Sequence, residues 1–226
     1  MTLLREIQNL LEKTYGSTGI NFEDCLLNSD RNKQLTGQSS TTAGQISDLG
    51  RTFLRVADNK LRVGIYYQPS VIEALERDNP QFGLTDKNVL PFMVFLEEID
   101  HAVHASLKYH DGQRDIFDEG FVRDLELQAK VDVYLILQMY CEFFNPDKTL
   151  HEADRRWLKA CVFDSERFSY DDPMLVERYR ESNRQGRRYV KYLDGLTSKR
   201  RTAELRRFRK LDYAKKQKRI QTVSRQ

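Results

Sequence analysis

From Val131 to Cys141 the chain reads VDVYLILQMYC, apolar almost all round a helical wheel. A segment of that kind has no face to give to water, so it must be the centre around which the rest packs. The spacing predicts one long helix from about Phe121 to Phe144, ended by Asn145-Pro146-Asp147. A chain of 226 residues, 39% apolar and 31% charged, can bury such a helix in one good-sized domain with a very polar shell.

The remaining elements follow from local patterns. Leu3, Leu4, Ile7, Leu10 and Leu11 recur at helical spacing and make residues 2–14 an amphipathic helix, stopped at Tyr15-Gly16. Asn28 to Gly50 is rich in Ser, Thr, Gln, Gly and Asn, and reads as a long loop. Residues 51–56 and 61–67 are β-branched and aromatic, and Ala57-Asp58-Asn59-Lys60 between them has turn chemistry, so a β-hairpin is expected. Pro69-Ser70 opens a short helix to about Arg77. A longer one covers Asp86 to Tyr109, and residues 150–161, 173–194 and 202–220 also read as helices. The expected class is α+β and mostly helical: a small hairpin or sheet packed on the 86–109 helix and the buried central helix, with further helices toward the C-terminus.

Charge divides the chain. The net charge is +3, but residues 198–226 hold twelve Lys/Arg against two acids, leaving 25 basic and 32 acidic groups in the rest. An acidic domain of residues 1–197 therefore carries a basic tail, 198–226. No run of 18 apolar residues suggests a membrane span, and the N-terminus turns charged too early for a signal peptide. Cys25, Cys141 and Cys161 are odd in number and widely spaced, which fits neither a disulfide framework nor a zinc knuckle. A reducing cytoplasm is the expected setting.

The chemistry-bearing segment is Glu97-Glu98-Ile99-Asp100-His101-Ala102-Val103-His104. On a helix Glu97 and His101 lie one turn apart on one side and suit joint ligation of a metal. Glu98, about 100° round the axis, is placed as general base. Glu126 leads into the central helix and is the candidate third ligand, unless it pairs with Lys130 four residues on. His104 and Asp132 are assigned supporting positions outside the ligands. The competing reading rests on the apolar stripe Phe92, Phe95, Leu96, Ile99, Val103 and Leu107, which leaves Glu97, His101 and His104 on the opposite, ordinarily solvated face. P-loop, dinucleotide-binding and nucleophile-elbow motifs are absent, and no organic cofactor is implied.

A hairpin, a helix with ExxH spacing and a glutamate 25 residues later on a second helix resemble a minimal zincin of the gluzincin type, whose signature is HExxH with a distant glutamate. The resemblance covers about two-fifths of the chain, residues 50–144. It implies His101 and Glu126 as metal ligands and Glu98 as catalytic base of a metal-dependent hydrolase. Glu97 stands where the family has histidine. Two carboxylates and one imidazole make a harder site that suits iron or manganese as readily as zinc.

The tail supports a rival, non-enzymatic reading. Lys199, Arg200, Arg201, Arg206, Arg207, Arg209, Lys210, Lys215 and Lys216, interleaved with Phe208 and Tyr213, suit contact with nucleic acid or an acidic protein. The same charges could dock on the acidic body instead.

Overall fold

The computed structural model describes residues 1–36, 49–164 and 173–224. Its described elements are α1 (Leu3–Tyr15), β1 (Leu26–Leu27), α2 (Ser29–Thr36), β2 (Gly50–Ala57), β3 (Lys60–Tyr67), α3 (Pro69–Arg77), α4 (Val89–His110), α5 (Glu119–Phe144), α6 (Glu152–Phe163), α7 (Pro173–Asp194), α8 (Ser198–Arg209) and α9 (Tyr213–Val223). The class is the expected one, mostly helical α+β.

The hairpin forms where β-branched and aromatic residues flank Asp58-Asn59. Both turn residues take positive φ (53° and 55°), the conformation whose twist matches paired strands. Thr52 pairs with Ile65 and Phe53 with Gly64 in the antiparallel ladder, while two-residue β1 adds a parallel edge on β3, giving the order β1-β3-β2. Gly64 is what admits β1, because a Cβ there would lie 2.8 Å from Leu27 Cδ1.

The sheet, α1 and α3 pack on α4, and α5 lies between α4 on one side and α6, α7 and α9 on the others. Every residue of α4 from Phe92 to Tyr109 is buried, the polar ones included. Elements on all sides cover this helix, so the solvated polar face is not found. The central segment of α5 is buried except for half-buried Leu135 and Met139, which is 41% exposed, with Leu158, Phe163, Tyr189 and Leu193 of the neighbouring helices in the same core. Each such fully buried side chain contributes about 1.5–3 kcal/mol.

Two further expectations change. Within the supposed loop 28–50, residues 29–36 form α2, and residues 37–48 lie outside the described part. The basic segment forms two helices rather than one over 202–220. It breaks at Lys210-Leu211-Asp212, where the Asp212 carboxylate caps α9 by accepting from the Lys215 backbone N–H at 2.8 Å.

Both C-terminal helices are tied down. Phe208 stacks on Tyr189 with centroids 4.0 Å apart. Arg219 grips both oxygens of Glu204 at 2.7 and 2.9 Å. Arg209 reaches Asp111 at 2.8 Å. Lys216 is fully buried, with its ammonium 2.7 Å from Asp124 and 2.6 Å from the Gln128 side-chain oxygen. Lys108 pairs with the same Asp124. Removing one partner of a buried ion pair leaves an uncompensated charge. Lys216→Ala is therefore expected to cost about 3 kcal/mol in a urea titration followed by circular dichroism. A loss below about 0.5 kcal/mol, the level of an ordinary surface substitution, would show that α9 is not anchored there.

Candidate metal centre

Helical arithmetic explains how one seam carries two sets of polar groups. On α5, Glu126, Ala129 and Asp132 are three residues apart, each step falling about 60° short of a full turn. Glu126 and Asp132 therefore flank Ala129 on either side. On α4 the pairs Glu97/His101 and Asp100/His104 diverge in the same way. The result is two groups, Glu97–His101–Glu126 and Asp100–His104–Asp132, each with ligand-capable atoms within 4.8 Å of one another. No member is more than 4% exposed.

In the first group His101 stands between two carboxylates. Its Nε2 is 3.8 Å from Glu126 and its Nδ1 is 3.8 Å from Glu98, both beyond hydrogen-bonding distance. Neither ring nitrogen of His101 and neither oxygen of Glu126 makes a hydrogen bond among the described residues. Glu97 faces Lys130 at 3.0 Å, so Lys130 pairs across the seam and not with Glu126 on its own helix. Glu98 accepts from the Thr52 hydroxyl at 2.7 Å, and its other oxygen has no hydrogen bond. Gly50 lets β2 come this close, since a Cβ there would lie 2.8 Å from Val94 and 3.0 Å from Glu98.

Electrostatics follow from burial. Loss of solvent pushes the Glu126 carboxyl up to about 7, helped by Glu97 and opposed by His101, Lys130 and Arg178. Burial disfavours a charged imidazole, yet Glu126, Glu98 and Glu97 outweigh it and raise His101 to about 9. Burial also raises Glu98 against the pull of His101 and Thr52. The acids around His101 thus favour positive charge at this position. A cation there would be attracted by the same field.

The second group is more tightly bonded. His104 Nε2 lies 3.0 Å from Asp132 and 3.2 Å from Asp100. Asp132 also accepts from the Tyr15 hydroxyl and, at 2.9 Å, from Gln128. The Tyr15 ring sits edge-on to His104 with centroids 4.7 Å apart. Burial would raise Asp132, but His104, Tyr15 and Gln128 hold it below the usual carboxylate range. Asp100 has no hydroxyl or amide donor among the described residues. Burial, with Asp132 adding and His104 opposing, pushes it up to about 6.

No protein-family model, curated protein or solved structure matches this chain. The geometry alone carries the reading: these buried carboxylate and imidazole groups form a possible metal-binding site.

The expected ligands Glu97, His101 and Glu126 come together, with Glu98 beside them. His104 and Asp132 meet each other in the second group. Asp100 was missed, although its i, i+4 relation to His104 repeats that of Glu97 to His101. Of the basic residues, Arg209 and Lys216 are buried. Arg201 bonds to the carbonyls of Leu193 and Leu196, and Arg206 to those of Lys13 and Thr14. Arg207 and Lys215 pair with Glu204 and Asp212. Lys199, Arg200 and Lys210 are exposed, with no ion pair among the described residues. Cys141 is buried in the core, and desolvation pushes its thiol up to about 11, which leaves it inert.

The Thr52 hydroxyl is the donor that satisfies Glu98, so Thr52→Val should destabilise the fold by about 1–3 kcal/mol in urea unfolding. Thr52→Ser, which keeps the hydroxyl, should recover most of that loss. Equal stability of the two variants would remove the Thr52–Glu98 contact from the account.

Proposed function

We propose that the protein is a zincin-like, metal-dependent hydrolase in which Glu97, His101 and Glu126 hold a divalent cation and Glu98 acts as base. One observation carries the reading. His101 and Glu126 face each other across a buried helix seam with four nitrogen and oxygen atoms free of hydrogen bonds among the described residues. Buried polar atoms are ordinarily satisfied, and each orphan costs about 1–3 kcal/mol, so a concentration of them on ligand-competent groups is what a metal site requires. The layout agrees with the likeness: the hairpin precedes α4 and packs on it, and Glu126 comes from the following helix.

Glu97 in place of a histidine leaves two carboxylates and one imidazole, which accept manganese or iron as well as zinc. Bound there, the cation would polarise a substrate oxygen or a water. The rest of the work falls to the chain. Lys130 holds Glu97 in place, and Thr52 fixes one oxygen of Glu98 so that the other points free, able to take a proton. Hydrolysis also demands that this closed site open to substrate, whereas metal retention does not. The two are therefore separate tests.

A partner such as nucleic acid draws on fewer cations than the sequence offers. Arg209 and Lys216 are spent inside the fold, and Arg201 and Arg206 on backbone carbonyls.

Elemental analysis of the purified, desalted protein decides the first half. Bound zinc, iron or manganese is expected in the wild type, with one equivalent lost in His101→Ala at unchanged helical circular dichroism. A wild type without bound metal would sink the reading. For the second half, Glu98→Gln should keep its metal yet lose hydrolysis of casein, p-nitrophenyl acetate or p-nitrophenyl phosphate. Metal retained with no turnover by the wild type would leave a metalloprotein and remove the hydrolase.

A further inference from the structure

The group on the other side of the seam has a different character. His104 Nε2 is 3.0 Å from one Asp132 oxygen and 3.2 Å from one Asp100 oxygen. A single ring nitrogen carries at most one proton, and that proton can point at only one acceptor. The bond to Asp132 has good geometry. Asp100 is left with both oxygens buried and without a hydrogen bond. Asp100, at 1% exposure, has the imidazole contact at 3.2 Å but no hydrogen bond among the described residues, and is the unexplained element here.

We propose that Asp100, His104 and Asp132 form a second, structural binding site for a divalent cation such as zinc or manganese, separate from the Glu97–His101–Glu126 centre. The two contacts at His104 fit coordination. Donors about 2.1 Å from a common ion and about 90° apart lie about 3.0 Å from each other, opening to about 3.4 Å for tetrahedral angles. The two distances at His104 fall within that span. A cation between the three groups satisfies both aspartates at once, which one proton on His104 cannot. Asp100 has both oxygens available, so it can bind through both and bring the donor atoms to four.

One member of the set, Asp132, is braced from outside, while His104 Nδ1 has no hydrogen bond among the described residues. Ligating carboxylates and imidazoles are usually oriented by outer hydrogen bonds. Asp132 receives one from Tyr15 of α1 and one from Gln128 of α5. Gln128 is in turn held by Lys216 of α9 through its side-chain oxygen at 2.6 Å. The site thus links four helices from distant parts of the sequence, which makes its role structural. The group has no exposed member, and none of its carboxylate oxygens points to solvent.

The test is stoichiometry. Apo protein prepared by chelation is incubated with zinc or manganese chloride, passed through a desalting column and assayed for bound metal. Wild type is expected to retain two equivalents, His101→Gln one, His104→Gln one, and the double variant none. In the His101→Gln background, Asp100→Asn should weaken the remaining site at least tenfold, and added metal should raise Tm only while His104 is present. One equivalent in the wild type, kept by His104→Gln and lost by His101→Gln, would overturn this site and leave the proposed catalytic centre standing. One equivalent lost only by His104→Gln would do the reverse, and no retained metal would overturn both. Should His104→Gln fail to fold, His101→Gln still decides, since zero equivalents in that variant overturns the second site.

Discussion

The constraint on which this fold depends is the balance of charge in the α4–α5 seam. Six acids (Glu97, Glu98, Asp100, Asp124, Glu126 and Asp132) are buried there with three lysines (Lys108, Lys130 and Lys216) and two histidines. With every acid ionised, the lysines alone would leave the seam three negative charges in excess. Protonating both imidazoles reduces the excess to one. In a dry interior even one uncompensated charge costs several kcal/mol, so the packing of α1, α7 and α9 around the seam cannot be separated from how its charges are matched. Lys216 shows this directly, since a C-terminal helix is held to the core by its most polar residue.

That dependence explains which parts were legible in the sequence. Patterns set by neighbours within a few residues were readable: the hairpin around Asp58-Asn59, the start of α3 at Pro69, and the burial of most of Val131 to Cys141. The pairing of Glu97, His101 and Glu126 was also readable, because helical spacing and the order of two consecutive helices determine it. Properties set by distant segments were not. A helical wheel places His101 and His104 opposite the Phe92–Leu107 stripe, and only β2, α5 and α1 arriving over that face turn a solvated surface into an interior. The partner of Asp124 lies at Lys216, and that of Asp132 at Tyr15, separations that no local pattern signals. Strand β1 is two residues long and α2 has a polar sequence, so neither carries a periodicity to detect.

The basic C-terminal segment illustrates the same limit from the other side. Its composition alone invites an acidic partner. Phe208, Leu205, Ile220 and Val223 instead give α8 and α9 an apolar face that belongs to the main core, and Arg209, Lys216 and Arg219 find their acids within the chain. Charge asymmetry along a sequence is thus satisfied here largely by folding, and only Lys199, Arg200 and Lys210 remain outside that accounting among the nine residues the sequence pointed to.

Within the seam the acids are not treated alike. Glu97 has Lys130, Asp124 has both Lys108 and Lys216, Glu98 has the Thr52 hydroxyl, and Asp132 has Tyr15 and Gln128. Glu126 and Asp100 differ from all of these. Among the described residues each faces an imidazole with no lysine ion pair and no hydroxyl or amide donor, and each keeps both oxygens without a hydrogen bond. They fall one in each group, on opposite sides of the seam and on different helices. A purely structural network gives no account of two carboxylates left this way on opposite sides of one seam. A pair of cation sites does, because each ion would take the oxygen lone pairs that no donor fills.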